Sequence, residues 1–317
     1  MLEVKQASKR YGDIVALDSA SFVVGQGQIV GLLGHNGAGK STAIKIITGY
    51  LQPDSGTVTV NGLDVTTDTR RVQAMIGYLP ESAPLYPELS VQAYLVTLAR
   101  LRGVPESALL ARLSEAVYAT GLQDHLTRPI GQLSKGFRQR VGLAQAIIHQ
   151  PELLILDEPS IGLDPTQIIE MRALIRRLAE HSTVLFSTHI LSEVEALCDR
   201  VVILVNGRVR ADAALSELAT APTVSLVLAR VVDGVPATLR AEAGVTEVTT
   251  HRHDDGSVTY TARAGDAPQD AAELSERLFR CAAAHQWPVR EIKRDVRSLE
   301  SVFSALAVER PVQEVPA

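Results

Sequence analysis

The chain has 317 residues, 46% hydrophobic content and a formal net charge of −5. This length allows one large domain or a large domain with a small one, and the negative charge argues against a non-specific nucleic-acid binder. The two cysteines, Cys198 and Cys281, are far apart in the sequence and predict reduced thiols rather than a disulfide or a metal site. No signal peptide is recognisable, and no apolar run reaches the roughly 18 residues of a membrane span. We therefore expect a soluble, intracellular protein.

The first two-thirds of the chain alternates between short apolar runs and helical patterns. IVGLL precedes a helix from Lys40 to about Thr48, LLILD precedes a helix around Ile168 to Glu180, and TVLFST is followed by the helix ILSEVEALC and the strand VVILV. Buried runs that alternate with helices predict a parallel sheet with helices on both faces. For this domain we predict residues 1–220, with a helical subdomain at about residues 82–150.

A composition shift near residues 219–223 predicts a second domain over residues 221–317. The pattern there indicates a strand, a short helix, a hairpin that turns at Asp255-Gly256, a helix and a last strand. The order β-α-β-β-α-β predicts a small α+β domain of the ferredoxin-like type. A final amphipathic helix is expected from near Ser298, and its apolar face would consist of Leu299, Val302, Phe303 and Leu306.

The segment GHNGAGKST lies where the first apolar strand meets a helix, and it matches the pattern G-x-x-x-x-G-K-[ST]. Its glycines let backbone N–H groups approach a phosphate chain, and the helix that begins at Lys40 directs its positive dipole end at the anion. Lys40 can reach the β- and γ-phosphates, Ser41 can ligate Mg²⁺, and Thr42 lies beside the α-phosphate in such loops. The segment therefore predicts a nucleotide triphosphate site that consists of Gly34, His35, Asn36, Gly37, Ala38, Gly39, Lys40, Ser41 and Thr42.

Two adjacent carboxylates follow the buried run LLIL, as Asp157 and Glu158. Ligands of parallel sheets bind at the carboxyl ends of the strands, which is where these side chains emerge. Asp157 would hold Mg²⁺ through water, and Glu158 would accept a proton from the attacking water. An isolated Asp-Glu pair is more often a solvated turn, but the preceding strand and the phosphate loop favour a catalytic site here.

The segment LSKGFRQRVGLAQAII, residues 133–148, lies between these two motifs. With all three in this order, residues 1 to about 215 resemble an ATP-binding cassette (ABC) ATPase, and this signature variant is typical of exporters of the gliding-motility and multidrug type. The common signature is L-S-G-G-Q, from which Lys135 and Phe137 depart. The resemblance implies that Ser134 caps a helix whose N-terminus faces a phosphate, together with the amide of Gly136.

The resemblance implies roles for four further residues. Tyr11 matches the aromatic residue that stacks on adenine, although a tyrosine of the core is the alternative. Asp164 matches the D-loop residue that reaches across a dimer, and His189 matches the histidine that holds the γ-phosphate and the attacking water. Glu81 stands where most cassettes have a glutamine that ligates Mg²⁺, and a carboxylate oxygen also suits this ion.

The resemblance implies a P-loop NTPase cassette with a mixed sheet that hydrolyses Mg-ATP. Because the chain has one phosphate loop and one signature, a homodimer or a paired cassette would enclose two ATP molecules. The implied partner is a separately encoded membrane permease, which would hold this cytoplasmic protein at the inner face of the cell membrane. A soluble cassette ATPase that acts on ribosomes or DNA is the alternative, as is a regulatory module that binds nucleotide without turnover.

Overall fold

The computed structural model describes residues 1–215, 223–253, 255–263, 268–295, 299 and 303. The chain divides into two compact units, Met1–Leu215 and Ser216–Ala317. The predicted domain boundary between residues 220 and 221 lies outside the described residues and stays a prediction. Within the described part of the chain, no helix is both long enough and apolar enough to cross a membrane.

The strands of the first unit form two sheets. They are β1 (Leu2–Tyr11), β2 (Ile14–Val24), β3 (Ile29–Leu33), β4 (Ser55–Val60), β5 (Leu63–Asp64), β6 (Ile76–Leu79), β7 (Leu153–Asp157), β8 (Thr183–Thr188), β9 (Arg200–Val205) and β10 (Arg208–Ala214). The first sheet has the order β2-β1-β4-β5 and is antiparallel. The second has the order β10-β9-β3-β8-β7-β6 and is parallel except at the edge strand β10. The first unit thus combines antiparallel and parallel strands, as the mixed sheet of the cassette fold requires.

The helices of the first unit follow the parallel strands or form a layer of their own. They are α1 (Lys40–Ile47), α2 (Thr69–Met75), α3 (Val91–Leu101), α4 (Glu106–Thr120), α5 (Lys135–Ile147), α6 (Pro165–Ala179) and α7 (Leu191–Leu197). Helices α3, α4 and α5 share an apolar core that includes Tyr94, Leu113 and Val141. These helices lie within the predicted helical subdomain.

The parallel strands bring the predicted motifs to one edge of the sheet. Every residue of β3 and β7 is buried, which explains their uninterrupted apolar sequences. Leu33 at the end of β3 pairs with Thr188 at the end of β8, and Asp157 at the end of β7 pairs with Ser187. The phosphate loop, the two carboxylates and His189 therefore leave the sheet side by side.

The second unit has the predicted element order. Its elements are β11 (Thr223–Leu228), α8 (Val235–Ala241), β12 (Glu247–Arg252), β13 (Val258–Arg263), α9 (Pro268–Ala284) and β14 (Val289–Asp295). The four strands form an antiparallel sheet in the order β12-β13-β11-β14, with a core that includes Leu226, Tyr260 and Leu278. The predicted last helix lies mostly outside the described residues, of which Leu299 and Phe303 are buried.

Candidate functional site

A cavity of about 490 Å³ lies at the edge of the sheet where β3, β7 and β8 end. Most of the predicted site residues line it, namely Tyr11, His35, Asn36, Gly37, Gly39, Lys40, Ser41, Thr42, Glu81, Glu158 and His189. Gly34 and Ala38 belong to the same loop but are buried beneath it. Chain segments more than 100 residues apart thus meet around one space.

The two inner glycines of the phosphate loop are needed for different reasons. Gly37 and Gly39 have φ angles of +81° and +105°, in the region that only glycine enters without strain. A Cβ at Gly39 would also collide with the backbone carbonyl oxygen of Ala16, whereas a Cβ at Gly37 would meet no atom within 4 Å. Gly39 is therefore fixed by both its dihedral angles and its neighbour, and Gly37 by its dihedral angles.

Lys40 is a buried cation at the first position of α1, with 6% of its side chain exposed. Its Nζ donates to the carbonyl oxygen of Gly34 at 2.7 Å and lies 3.3 Å from Glu158 Oε1. A buried ammonium group needs such partners because its transfer from water is costly. The amine is therefore held at the base of the phosphate loop.

Glu158 directs its carboxylate into the cavity from a strained backbone position. Its φ angle is +50°, which is uncommon for a residue other than glycine and is often found at functional sites. Its backbone N–H donates to Ser187 O at 3.2 Å and to Ser187 Oγ at 3.1 Å, which holds this turn in place. Its second carboxylate oxygen, Oε2, lies 2.9 Å from His189 Nδ1. The carboxylate of Glu158 thus bridges Lys40 and His189.

The oxygen atoms near Lys40 suit a divalent cation. The side chains of Ser41 and Glu81 line the cavity, and Asp157 is buried beside Glu158. Burial raises the pKa of Asp157, as do the charges of Glu158 and Glu81, while a hydrogen bond of 2.6 Å from Ser187 Oγ opposes this rise. Hydroxyl and carboxylate oxygens are the hard ligands that Mg²⁺ prefers, so this donor set fits the ion.

The adenine-stacking candidate lies at the mouth of the cavity. Tyr11 is 48% exposed, so the alternative of a core tyrosine is wrong. Ile14 and Val15 beside it are also exposed and line the same cavity. The mouth of the cavity therefore presents an exposed aromatic ring and apolar side chains, against which a flat purine base can stack.

The signature and D-loop residues do not line this cavity. Ser134 caps α5 as predicted, with Oγ accepting from Phe137 N at 3.4 Å, and Asp164 caps α6 by accepting from Gln167 N at 2.9 Å. A Cβ at Gly136 would lie 2.9 Å from the Gln167 side chain, so the two helix starts adjoin. Both caps are exposed and together form a surface separate from the chain's own phosphate loop.

Sequence reasoning missed Ser187, which hydrogen-bonds to both carboxylate residues through Asp157 Oδ1 and the Glu158 N–H. The available signal was a hydroxyl residue near the end of the apolar run TVLFST, where a buried polar side chain needs a partner. Sequence reasoning also assigned no contact to the side chain of Phe137. The ring of Phe137 packs against that of His125, with centroids 4.0 Å apart, and under the guanidinium of Arg140.

Known proteins resemble this chain over most of its length. The family model described as ABC transporter matches residues 17–161. The ABC transporter ATP-binding protein NatA of Bacillus subtilis is 36% identical over 224 residues, which cover 69% of this chain and 91% of that protein. This chain belongs to the ATP-binding proteins of ABC transporters. It is an ATPase that uses ATP with Mg²⁺ and serves as the ATP-hydrolysing subunit of a transporter.

Two further members of this ABC family extend the comparison. The Nod factor export ATP-binding protein I of Burkholderia lata is 34% identical over 242 residues, covering 76% of this chain and 79% of that protein. A solved dimeric bacterial ABC transporter cassette matches with a TM-score of 0.62 and 25% identity, covering 68% of this chain and 99% of that one. Membership of the ABC family favours transport over the alternative of a soluble cassette that acts on ribosomes or DNA.

Proposed function

We propose that the cavity binds Mg-ATP with the γ-phosphate between Lys40 and His189, and that Glu158 is the general base. The observation that carries this assignment is the position of the Glu158 carboxylate, 3.3 Å from Lys40 Nζ and 2.9 Å from His189 Nδ1. A carboxylate with this reach can accept the proton of a water that attacks in line. His189 orients that water and the phosphate, and Lys40 offsets the charge that develops.

Mg²⁺ would be held by Ser41, Asp157 and Glu81, and it supplies neutralisation of the phosphate oxygens. Ser41 and Glu81 line the cavity with Lys40, and Asp157 is buried beside Glu158. Two carboxylates, Glu158 and Glu81, line the cavity with Lys40, and the buried Asp157 lies near enough for their charges to act on it. Such an excess of negative charge supports binding of a divalent cation together with the nucleotide.

We propose a homodimer in which each copy completes the other's site. Ser134 and Asp164 are exposed, Gly136 is buried in the first turn of α5, and none of the three lines the chain's own cavity. A helix N-terminus favours an anion, so a second copy could place α5 against the γ-phosphate of the first. The dimeric relative supports this arrangement.

The permease would dock in a groove of about 440 Å³ in the first unit. Its lining is unusually rich in tyrosine and includes Tyr50, Tyr78, Tyr86 and Tyr94. Tyr50 and Tyr86 are exposed, and aromatic side chains with polar tips are typical anchors of protein interfaces. The groove also contains Pro80, which directly precedes Glu81, and Pro84, which follows it by three residues, so occupation of the groove could be sensed in the nucleotide cavity.

Docking of this kind would place the protein on the cytoplasmic face of the cell membrane. We propose that the transporter is an exporter, which is supported by the signature variant and by the relative named for Nod factor export. The residues from 221 to 317 form an accessory domain in this proposal, with a role in packing or in support of the dimer. Transport specificity would belong to the membrane partner.

Complementation between two inactive variants tests the composite site. A Lys40→Ala chain keeps its signature, and a Ser134→Arg chain keeps its phosphate loop. Each variant alone should hydrolyse almost no ATP, whereas their mixture forms some dimers with one intact composite site and recovers turnover. A mixture as inactive as its components would show that each chain works with its own signature, and it would overturn the proposed dimer.

A further inference from the structure

The residue that precedes His189 contacts a buried carboxylate that the proposed mechanism does not use. Thr188 Oγ donates to Glu193 Oε2 at 2.6 Å, and Glu193 is only 1% exposed. The same hydroxyl oxygen accepts from the N–H of Ile190 at 3.0 Å. One threonine side chain therefore links the backbone just after His189 to helix α7.

Thr188 is also attached to the phosphate loop. Its carbonyl oxygen accepts from the N–H of Gly34 at 3.4 Å, and Ser187 before it holds the turn at Glu158. The residues on both sides of His189 are thus tied to separate elements of the site. Between them, the ring of His189 lies with its Nδ1 2.9 Å from Oε2 of Glu158.

Burial of the Glu193 carboxylate costs free energy, so a purely structural role does not account well for this residue. Burial of a carboxylate is unfavourable unless its oxygens are paired or hydrogen-bonded. In the described part of the chain, its second oxygen, Oε1, has no hydrogen-bond partner. A buried polar group that is only partly satisfied calls for an explanation, and a functional need for its geometry is one such explanation.

We propose that Thr188 and Glu193 are positioning residues that set the orientation of His189 for ATP hydrolysis. Neither side chain lines the nucleotide cavity, so both act through His189. Without the Thr188 hydroxyl, the backbone at Ile190 loses its partner and the imidazole is no longer held at its angle to the γ-phosphate. This inference rests on the proposed role of His189.

The first test removes the hydroxyl while it keeps the shape of the side chain. Thr188→Val should lower kcat about 10- to 100-fold, because small misplacements of a catalytic group have effects of this size. The dissociation constant for ATP should change less than about threefold, since the phosphate loop and Lys40 are unaltered. Thr188→Ser restores the hydroxyl and should restore most of the turnover.

Thr183→Val is the matched control. Thr183 is buried at the opposite end of β8, and its hydroxyl also accepts from a backbone N–H, that of Gly27, at 2.9 Å. This variant should lose thermal stability to a similar degree as Thr188→Val but keep the kcat of the wild type. An equal loss of kcat in both variants would show a general effect of strand stability and would overturn the proposal.

The second test asks whether the effect passes through His189. In a His189→Ala background, Thr188→Val should not lower the residual release of labelled phosphate further. The Thr188 hydroxyl acts only through the His189 ring in this proposal, and that ring is absent from the background. Glu193→Ala should match Thr188→Val, and their double variant should be no worse than either. A further loss in the His189→Ala background would overturn the proposal. Wild-type turnover in His189→Ala alone would instead refute the proposed role of His189.

Discussion

Glu158 Oε1 lies 3.3 Å from Lys40 Nζ, and the two side chains are 10% and 6% exposed. The carboxylate that we propose as the general base therefore neutralises the lysine that we propose to hold the phosphates. If this assignment holds, we expect the phosphates of ATP to compete with Glu158 for the amine of Lys40. In the proposed mechanism, the ion pair would link the capture of the phosphates by Lys40 to the release of the Glu158 carboxylate.

Lys40→Ala should abolish tight binding of ATP, because no other cation lines the base of the cavity in the described residues. It also leaves the buried Glu158 carboxylate without its ion-pair partner, which should lower the free energy of unfolding by about 3 kcal/mol. Titration with a fluorescent ATP analogue and urea unfolding measure the two effects. Adding Glu158→Gln to Lys40→Ala removes the unpaired charge and should recover part of the stability. Unchanged stability in Lys40→Ala would contradict the buried ion pair.

Glu158→Gln should bind ATP without turnover and accumulate as a dimer. The amide cannot accept the proton of the attacking water, and it no longer neutralises Lys40, so ATP should bind more tightly than to the wild type. Gel filtration with and without Mg-ATP, together with phosphate release, measures the outcome. Glu152→Gln is a control, since Glu152 precedes the same strand at the end away from the cavity. Wild-type hydrolysis in Glu158→Gln would exclude Glu158 as the base.

Local sequence patterns were sufficient for the phosphate loop, the carboxylates after LLIL and the order of elements in the second unit. Each is encoded in a short segment, such as the glycines of the phosphate loop or the apolar run before Asp157. The register that pairs Asp157 with Ser187 depends on strands far apart in the sequence, so the hydrogen bonds of Ser187 could not be read from it.

The resemblance implied a mixed sheet, but for a related reason the sequence patterns did not identify the antiparallel sheet of β1, β2, β4 and β5. These strands carry mixed polar and apolar residues because one face of the sheet packs on the core and the other does not, as in β2, where burial alternates from Ser19 to Val24. Their pairing joins Leu2 to both Val24 and Val60. A pattern of this kind indicates strands but does not say which of them are neighbours.

Gly39→Ala should damage ATP binding far more than Gly37→Ala. Both glycines have positive φ angles, which cost an alanine about 1 kcal/mol. Only at Gly39 would the new Cβ also collide with the Ala16 carbonyl oxygen, which would displace the start of α1 and Lys40 with it. Equilibrium binding of ATP and thermal unfolding compare the two variants. Equal losses of ATP affinity in the two variants would show that the positive φ angle, and not the collision with Ala16, causes the damage.

Glu81→Gln should keep the ATPase rate within about an order of magnitude, because the amide oxygen can still ligate Mg²⁺. The concentration of Mg²⁺ at half-maximal rate should rise, since one negative charge near Asp157 is lost. Glu88→Gln is the control, because Glu88 is also exposed in the following loop but does not line the cavity. A complete loss of activity in Glu81→Gln would show that the carboxylate has a separate task.

The stability of the first unit should fall between pH 6.5 and pH 4 because of His149. Burial lowers the pKa of His149 to about 4, and the charge of Arg102 adds to this effect. The neutral ring is hydrogen-bonded through Nε2 to the carbonyl oxygen of Ile76 at 3.1 Å. Below pH 6.5 the unfolded chain binds a proton that the folded state excludes, so this stabilisation is present above pH 6.5 and is lost as the pH falls.

At pH 4.5 the loss should be about 2 kcal/mol, after allowance for the part of the ring that faces solvent. His149→Gln keeps a donor for Ile76 but cannot take up the proton, so its unfolding free energy should fall less over the same range. His181→Gln changes an exposed histidine instead and should follow the wild type. Urea unfolding at pH 7 and pH 4.5 measures the three proteins. Parallel pH dependence of the wild type and His149→Gln would show that this ring can accept a proton in the folded state at little cost.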